Sequence, residues 1–350
     1  MLNSNVLSNA EGDYFRIKTE KRTSAVVVGF MNAGAAKKQF QSSLLKEAAG
    51  TKIWLNCPEN QCFQFGVPGV ADSFDALLNW LRDLVEHRGH DNVTLVGDGI
   101  GGRAALIAGS LLNRVKVIAF NPELSLGEVG MRSAGANLHP WWSDLEHIVQ
   151  IGRGRRKCTA IYSAWDPSDA HMLSLPVSRS PSLGDVIELP TAGSAVTFLR
   201  EAGLYPELLG QNADTVNVLR KANVAMPANS AGTQQQYAHF FATSQTAQGG
   251  SNGLQASLHM TGTFAEWANP GWQNLRSNIF RRAGDADAAI AAARMALADG
   301  NTVRAYCVTY ARAVLLGGGA GDASLALDRL EAFNDSKGVA ELRDNLRALT

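Results

Sequence analysis

The stretch that most restricts the fold is Val93-Thr94-Leu95-Val96-Gly97-Asp98-Gly99-Ile100-Gly101-Gly102-Arg103-Ala104-Ala105. A β-branched, apolar run leads into glycines at alternate positions, and these lead into a helix of small residues. A strand passes directly into a helix only through a sharp turn. Where the two elements then approach each other, there is no room for side chains. The pattern predicts a buried strand, a tight turn centred on Gly99 and a helix lying close on the strand.

The surrounding chain agrees with that unit. Apolar runs at residues 24–29 (SAVVVG), 52–56 (KIWLN), 92–97, 115–120 (VKVIAF), 158–164 (CTAIYSA) and 185–189 (DVIEL) read as strands. Helical patterns lie between them, at 35–49, 101–112 and 194–202, and in the stripe Phe74, Leu77, Leu78, Leu81, Leu84 and Val85. This alternation predicts an α/β class, with a mostly parallel sheet covered by helices on both faces. Right-handed crossovers then bring the strand C-termini to one edge, where ligands bind in such sheets. Residues 125–150 interrupt the alternation with Gly127, Gly130, Gly135 and the trio Pro140, Trp141 and Trp142. They read as a lid-like insertion over that edge, or more plainly as a surface helix pinned by tryptophans.

A chain of 350 residues suggests two domains, and the character changes after about residue 204. Residues 225–256 are rich in Ala, Ser, Gln, Gly and Asn, and the part beyond reads as helices at 272–282, 286–298, 303–316 and 323–333, with a last amphipathic one through Val339, Leu342, Leu346 and Leu349. The expected division is 1–204 for the sheet and 205–350 for an all-helical domain. Trp272-x-x-Leu275, Gly284-Asp285 and the row Ala289, Ala293, Ala296 resemble one tetratricopeptide repeat, with a poorer second copy between Tyr306 and Ala332.

Gly97-x-Gly99-x-Gly101 between strand and helix resembles the nucleophile elbow of the α/β-hydrolase family, whose pattern is Gly-x-Ser-x-Gly. Gly99 stands at the serine's place. The family's acid follows the next-to-last strand, where this chain has Asp166 and Asp169, and its histidine follows the last strand, where Ser194 stands. The resemblance covers about residues 14–204 and implies a vacant nucleophile position and a vacant base. The oxyanion donors would be backbone N–H groups of Ile100 and of the loop Gly29-Phe30-Met31-Asn32-Ala33. Together with Phe30, Met31, Asp98, Ile100, Trp141 and Trp142 these outline a binding pocket without a nucleophile.

Two functional classes follow. The first is a degenerate hydrolase that binds a protein partner or a small-molecule or glycan ligand, its helical part serving as an interaction surface. The second is an esterase or acyltransferase with a relocated constellation, in which Asp166 or Asp169 works with His171 or His139 on a water nucleophile; family likeness extends this reading to bacterial surface glycans. A purely structural module is a third. Asp98 as nucleophile is disfavoured because Val96 and Ile100 would flank it. Reading Gly97, Gly99 and Gly102 as a dinucleotide loop is disfavoured because the turn follows the third strand of the series and no acid follows before Glu123. Equal numbers of basic and acidic residues, 32 each, give no sign of nucleic-acid binding. No apolar run is long enough for membrane insertion, and no signal peptide is apparent. Cys57, Cys62, Cys158 and Cys307 form no zinc spacing, so no metal and no cofactor are expected, and free thiols fit a cytoplasmic location.

Overall fold

The computed structural model describes residues 7–20, 23–31, 44–59, 61–112, 114–129, 131, 133–136, 138–139, 142, 157–181, 183–211, 213–226, 232–298, 303–333 and 337–350. The chain forms two compact units, one of Met1–Ser163 with Leu175–Ser230, the other of Ala164–Ser174 with Ala231–Thr350.

The first unit is built on one sheet of β1 (Ala10–Glu11), β2 (Phe15–Lys18), β3 (Val26–Phe30), β4 (Thr51–Leu55), β5 (Val93–Asp98), β6 (Lys116–Phe120), β7 (Lys157–Ser163) and β8 (Asp185–Leu189). Their spatial order is β1-β2-β4-β3-β5-β6-β7-β8. From β4 to β8 every neighbouring pair is parallel, while β1 and β2 add an antiparallel edge. β3 and β6 are buried along their whole length, as strands covered on both faces must be. The six predicted strands are therefore present, each within two residues of its expected bounds. The edge hairpin was not foreseen: β2 shows only Phe15 and Ile17 turned inward, too short an alternation to stand out.

Among the described residues the helices of the chain are α1 (Phe74–Arg88), α2 (Ile100–Leu111), α3 (Pro167–Ser174), α4 (Ala195–Glu201), α5 (Tyr205–Leu208), α6 (Thr215–Lys221), α7 (Gln234–Ala247), α8 (Gly250–Met260), α9 (Pro270–Ala283), α10 (Ala286–Ala296), α11 (Arg304–Gly317), α12 (Ala320–Glu331) and α13 (Lys337–Arg347). α1 begins where the Ser73 side chain accepts the Ala76 N–H, and its predicted stripe is its buried face. The small residues of α2 let that helix lie buried from Ile100 to Ser110. Most of the helix expected over 35–49 falls outside the described residues; Leu44 and Leu45 are buried in a turn.

Residues 205–226 differ from the expected division. Tyr205, Leu208, Leu209 and Leu219 share one apolar cluster with Val27, Trp54, Val96, Ile118, Phe120 and Ile187 of the sheet. They complete the sheet unit, and the Tyr205 hydroxyl donates to Leu44 O at 2.6 Å. The shift in composition that marks the second unit begins only near residue 225.

Of the segment 125–150, residues 143–150 and Trp141 are among those outside the description. Leu126, Met131 and Trp142 are buried, and Trp142 packs edge-on against Phe74 of α1 with ring centroids 4.6 Å apart. These three side chains are packed into the unit, while Val129 is 84% exposed.

In the second unit α9 starts at Pro270 behind the cap Asn269, whose side chain accepts the Trp272 N–H at 3.1 Å. It stops at Gly284, left-handed at φ 83°, and Asp285 caps α10. Hairpins α9–α10 and α11–α12 follow each other, and α13 comes last. The sequence reading missed α7 and α8, whose Gln-, Ser- and Gly-rich composition masks the short buried row Tyr237, Phe240 and Ala247 of α7. A signal was present in Thr233-x-x-Gln236, a reciprocal capping box at the start of α7. The segment Ala164–Ser174 joins this unit through packing: α3 lies on α7, and Asn269 Nδ2 donates to Ala164 O at 2.9 Å. At Gly271 a Cβ would lie 2.0 Å from Trp165 O, so the close approach of α9 requires glycine there.

α10, α11 and α12 are tied by Asp322, whose Oδ1 accepts from the Tyr310 hydroxyl at 2.8 Å and from Arg294. Burial alone would raise the Asp322 pKa, but these two partners outweigh it and hold it below the usual aspartate range. A depressed folded-state pKa adds stability above the unfolded value of about 4 and loses it as pH falls through the folded value. We expect Asp322→Asn to cost roughly 1.5 kcal/mol at neutral pH, the low end for a hydrogen bond to a charged group. The variant should converge with the wild type in acid, as read from urea unfolding at pH 7 and pH 3.

Candidate functional site

The turn between β5 and α2 has the predicted form. Gly99 takes φ 57° and ψ −120°, a region in which side chains are strained. A Cβ on Gly97 would lie 2.2 Å from Gly101 O, and one on Gly101 would lie 2.2 Å from Phe30 O. Both glycines are therefore steric requirements of the strand–turn–helix unit. The backbone of Gly99 is held on both sides. Its N–H donates to Phe120 O at 2.9 Å, and its carbonyl accepts from Arg103 N at 3.1 Å and Glu123 N at 3.3 Å. Asp98 ends β5, so the apex of the turn is Gly99.

Asp98 is half-buried and acts electrostatically on Tyr205. Burial pushes the Tyr205 hydroxyl far above the ordinary range, Arg200 opposes this, and Glu47 and Asp98 add to it.

Ile100 opens α2, and the cap residue Gly99 has no side chain to satisfy the first N–H groups of that helix. The expected second donor is different. Met31 N–H already donates to Leu55 O at 2.8 Å, while Asn32 and Ala33 lie outside the described residues. Phe30 and Met31 are fully buried, and Phe30 packs edge-on against Phe63 at 5.5 Å.

Ser194 is exposed and caps α4, its Oγ accepting the Thr197 N–H at 3.3 Å. The loop before it is anchored by residues that the sequence reading did not single out. Asn121 Nδ2 donates to Ser163 Oγ at 3.0 Å, and Asn121 Oδ1 accepts the Ala195 N–H at 3.2 Å. Ser163 Oγ in turn donates to Gly193 O. Asn121 thereby joins the end of β6 to the end of β7 and the start of α4. The available signal was an asparagine directly after a strand and before Pro122; asparagine tolerates the left-handed φ of 46° found here.

A second anchor is Arg103, fully buried on α2. Its guanidinium donates to Glu123 O at 3.3 Å and also to Leu124 O and Trp142 O. The buried Glu123 carboxylate accepts the Ser133 N–H at 3.2 Å.

Asp166 and Asp169 do follow β7, but by packing they belong to the helical unit. Asp166 Oδ1 accepts the N–H groups of Ser168 at 2.9 Å and Asp169 at 3.2 Å, at the first turn of α3. Asp169 is buried, and His171 is stacked on Phe241 with centroids 4.2 Å apart. The backbone N–H of His139 donates to Gln64 Oε1 at 2.8 Å. The cysteines are buried free thiols; burial pushes Cys57 up to about 12 and Cys62 to about 11, so neither is an activated nucleophile. Among the described residues no group of three or more His, Cys, Asp or Glu could hold a metal ion, and no helix is long and apolar enough to cross a membrane.

Parallel sheet, crossover helices and strand–turn–helix elbow define an α/β-hydrolase fold with a second, helical unit. No family model matches the sequence, and no curated protein matches it. Among solved structures the chain is similar to a hormone-sensitive lipase from a metagenome library, with 14% identity over 63% of this chain and 87% of that one and a TM-score of 0.37. It is also similar to esterase B from Lactobacillus rhamnosis, with 14% identity, coverages of 65% and 83% and a TM-score of 0.35. A thermostable esterase from Pseudomonas putida gives 11%, 63% and 79% with a TM-score of 0.32.

Proposed function

We propose that the protein is a hydrolase-fold binding module whose sheet edge no longer performs ester hydrolysis. The observation that carries this reading is the combination at the edge: glycine occupies the strained apex, and Ser194 serves as a helix cap. In a triad mechanism the nucleophile must pass its proton to a base. Neither group is present at these positions. Removing the nucleophile or the base of a triad typically costs about a million-fold in turnover. A strained turn without a reactive side chain still supplies the backbone donors at the head of α2, which suit a carbonyl or an anion. The consecutive hairpins of the helical unit add surface for a protein partner.

The test is turnover of short- and medium-chain chromogenic esters by the wild type, by Gly99→Ser and by Gly99→Ser combined with Ser194→His. No turnover above the buffer blank is expected for the wild type or for Gly99→Ser, since the added hydroxyl has no base. Wild-type turnover that vanishes in Asp166→Ala or Asp169→Ala would replace this reading with the relocated hydrolase.

A further inference from the structure

Two buried thiols of the sheet unit share one short loop. Cys57 lies just beyond β4, and Cys62 lies in the turns that follow. The loop folds back through Gln61 N–H to Pro58 O at 3.2 Å and Gln64 N–H to Gln61 O at 3.0 Å. Cys62 and Phe63 both take left-handed backbone angles, φ 49° and 65°, uncommon for residues with side chains. This curl turns the backbone onto the first cysteine: Phe63 N–H donates to Cys57 Sγ at 3.3 Å. That nitrogen is bonded to the carbonyl carbon of Cys62, so Cys62 is held against the Cys57 sulfur. The Cys62 N–H acts on the same sulfur, and the two thiols interact electrostatically.

A second feature sits beside them. Asn56 is fully buried, and its Oδ1 accepts the Cys57 N–H at 2.9 Å. Its Nδ2 is buried with no hydrogen-bond partner among the described residues. A buried donor without an acceptor is costly. Here it stands next to a thiol that would become a strong acceptor as a thiolate. The loop thus supplies two sulfurs, backbone N–H groups on one of them and a spare amide donor. Among the described residues no third His, Cys, Asp or Glu completes a larger ligand set. Zinc, which takes four ligands, does not fit. Cu(I) is soft, is selected by thiolates and is satisfied by two sulfurs. Oxidation to a disulfide fits less well, because burial keeps both thiols protonated and the thiolate is the reacting form. The loop lies at the surface, with Pro58 and Gln61 half-buried and Glu59 and Phe65 exposed, so a cation has only this loop to pass.

We propose that Cys57 and Cys62 form a two-coordinate thiolate site for Cu(I). Each thiol gives up its proton, each sulfur forms one bond to the cation, and no electron is transferred. The bound group carries one net negative charge, which the N–H groups of Cys62 and Phe63 and the Asn56 amide stabilise. Arg103 favours the Cys62 thiolate and Glu123 opposes it. The site uses no atom of the Gly99 turn, so a finding of ester hydrolysis would leave it standing.

The test uses the full chain, reduced and free of oxygen, with Cu(I) supplied as its coloured bicinchoninate complex under ascorbate. The wild type should withdraw one Cu(I) per chain and release about two protons with it, since both thiols are protonated at neutral pH. X-ray absorption at copper should show two sulfur neighbours. Cys57→Ala and Cys62→Ala should each abolish the transfer. Asn56→Asp keeps an acceptor for the Cys57 N–H but removes the spare donor, and should weaken binding about tenfold. Cys158→Ser with Cys307→Ser should bind as the wild type does. That variant keeps both site thiols, so its proton count and absorption spectrum decide the matter even if circular dichroism shows the alanine variants unfolded. The proposal is overturned if the chelator keeps the copper, or if folded Cys57→Ala or Cys62→Ala still withdraws it. It is equally overturned if the absorption spectrum shows nitrogen or oxygen ligands in place of the two sulfurs, or if binding releases no protons.

Discussion

Arg103→Met is expected to destabilise the sheet unit by about 3–5 kcal/mol, the cost of breaking a buried charged network on one side. Methionine has similar length and keeps the packing on α2, so the loss isolates the guanidinium. Three carbonyls, of Glu123, Leu124 and Trp142, would lose their donor in a region from which water is excluded. The Glu123 carboxylate is itself buried, and both it and Arg103 act on the Cys62 thiol, which places the two charges in one neighbourhood. Without the cation the buried carboxylate loses a nearby opposite charge. Arg103→Lys keeps the charge but cannot span three acceptors, and should fall between. Urea denaturation followed by circular dichroism reads the shift, and protease cleavage between residues 122 and 142 should accelerate in Arg103→Met. A midpoint equal to that of the wild type would mean that the network contributes nothing.

Gly101→Ala is the second large effect, at about 3 kcal/mol or more, the upper part of the range for overpacking. The added methyl would meet Phe30 O and Met31 O at 2.2 and 2.5 Å, and both are backbone atoms. A flexible side chain could move aside, but β3 is held between β4 and β5 and cannot shift without breaking a ladder. Gly321→Ala is the control. Gly321 lies in the first turn of α12 with nothing within 4 Å of the added carbon, so the change should be neutral or stabilising by up to about 1 kcal/mol. Thermal melts of the two variants separate steric exclusion from a general intolerance of glycine replacement. Equal melting temperatures for Gly101→Ala and the wild type would contradict the close contact of α2 with β3.

Much of the candidate site was legible because its requirements are local. The elbow rests on residues within five positions of each other, and each glycine has a steric or conformational reason that one strand–turn–helix unit supplies. The strands of the parallel sheet were legible as continuous apolar runs, and α9 and α10 as a hairpin with a glycine stop and an aspartate cap. The roles of Ser194 and Asn121 were less so. The first looked like a substituted catalytic position, and its bond to Thr197 N–H is a local cap that any serine before a helix could make. The second acts on Ser163 and Ala195, far along the chain, and spacing gives no hint of that.

The α/β class, the apex at Gly99, the lack of any histidine between His171 and His239 and the helical character of the C-terminal part were legible in the chain alone. Each follows from periodicity, from glycine's missing side chain or from the identity of one residue. Only the tertiary structure decided that residues 205–226 complete the sheet unit, that Ala164–Ser174 packs with the helices, and that Arg103 holds the segment beyond β6. The physical reason is the same in these cases. The deciding contacts join residues distant in sequence, and many of the acceptors are backbone carbonyls, which every residue carries and no sequence pattern distinguishes.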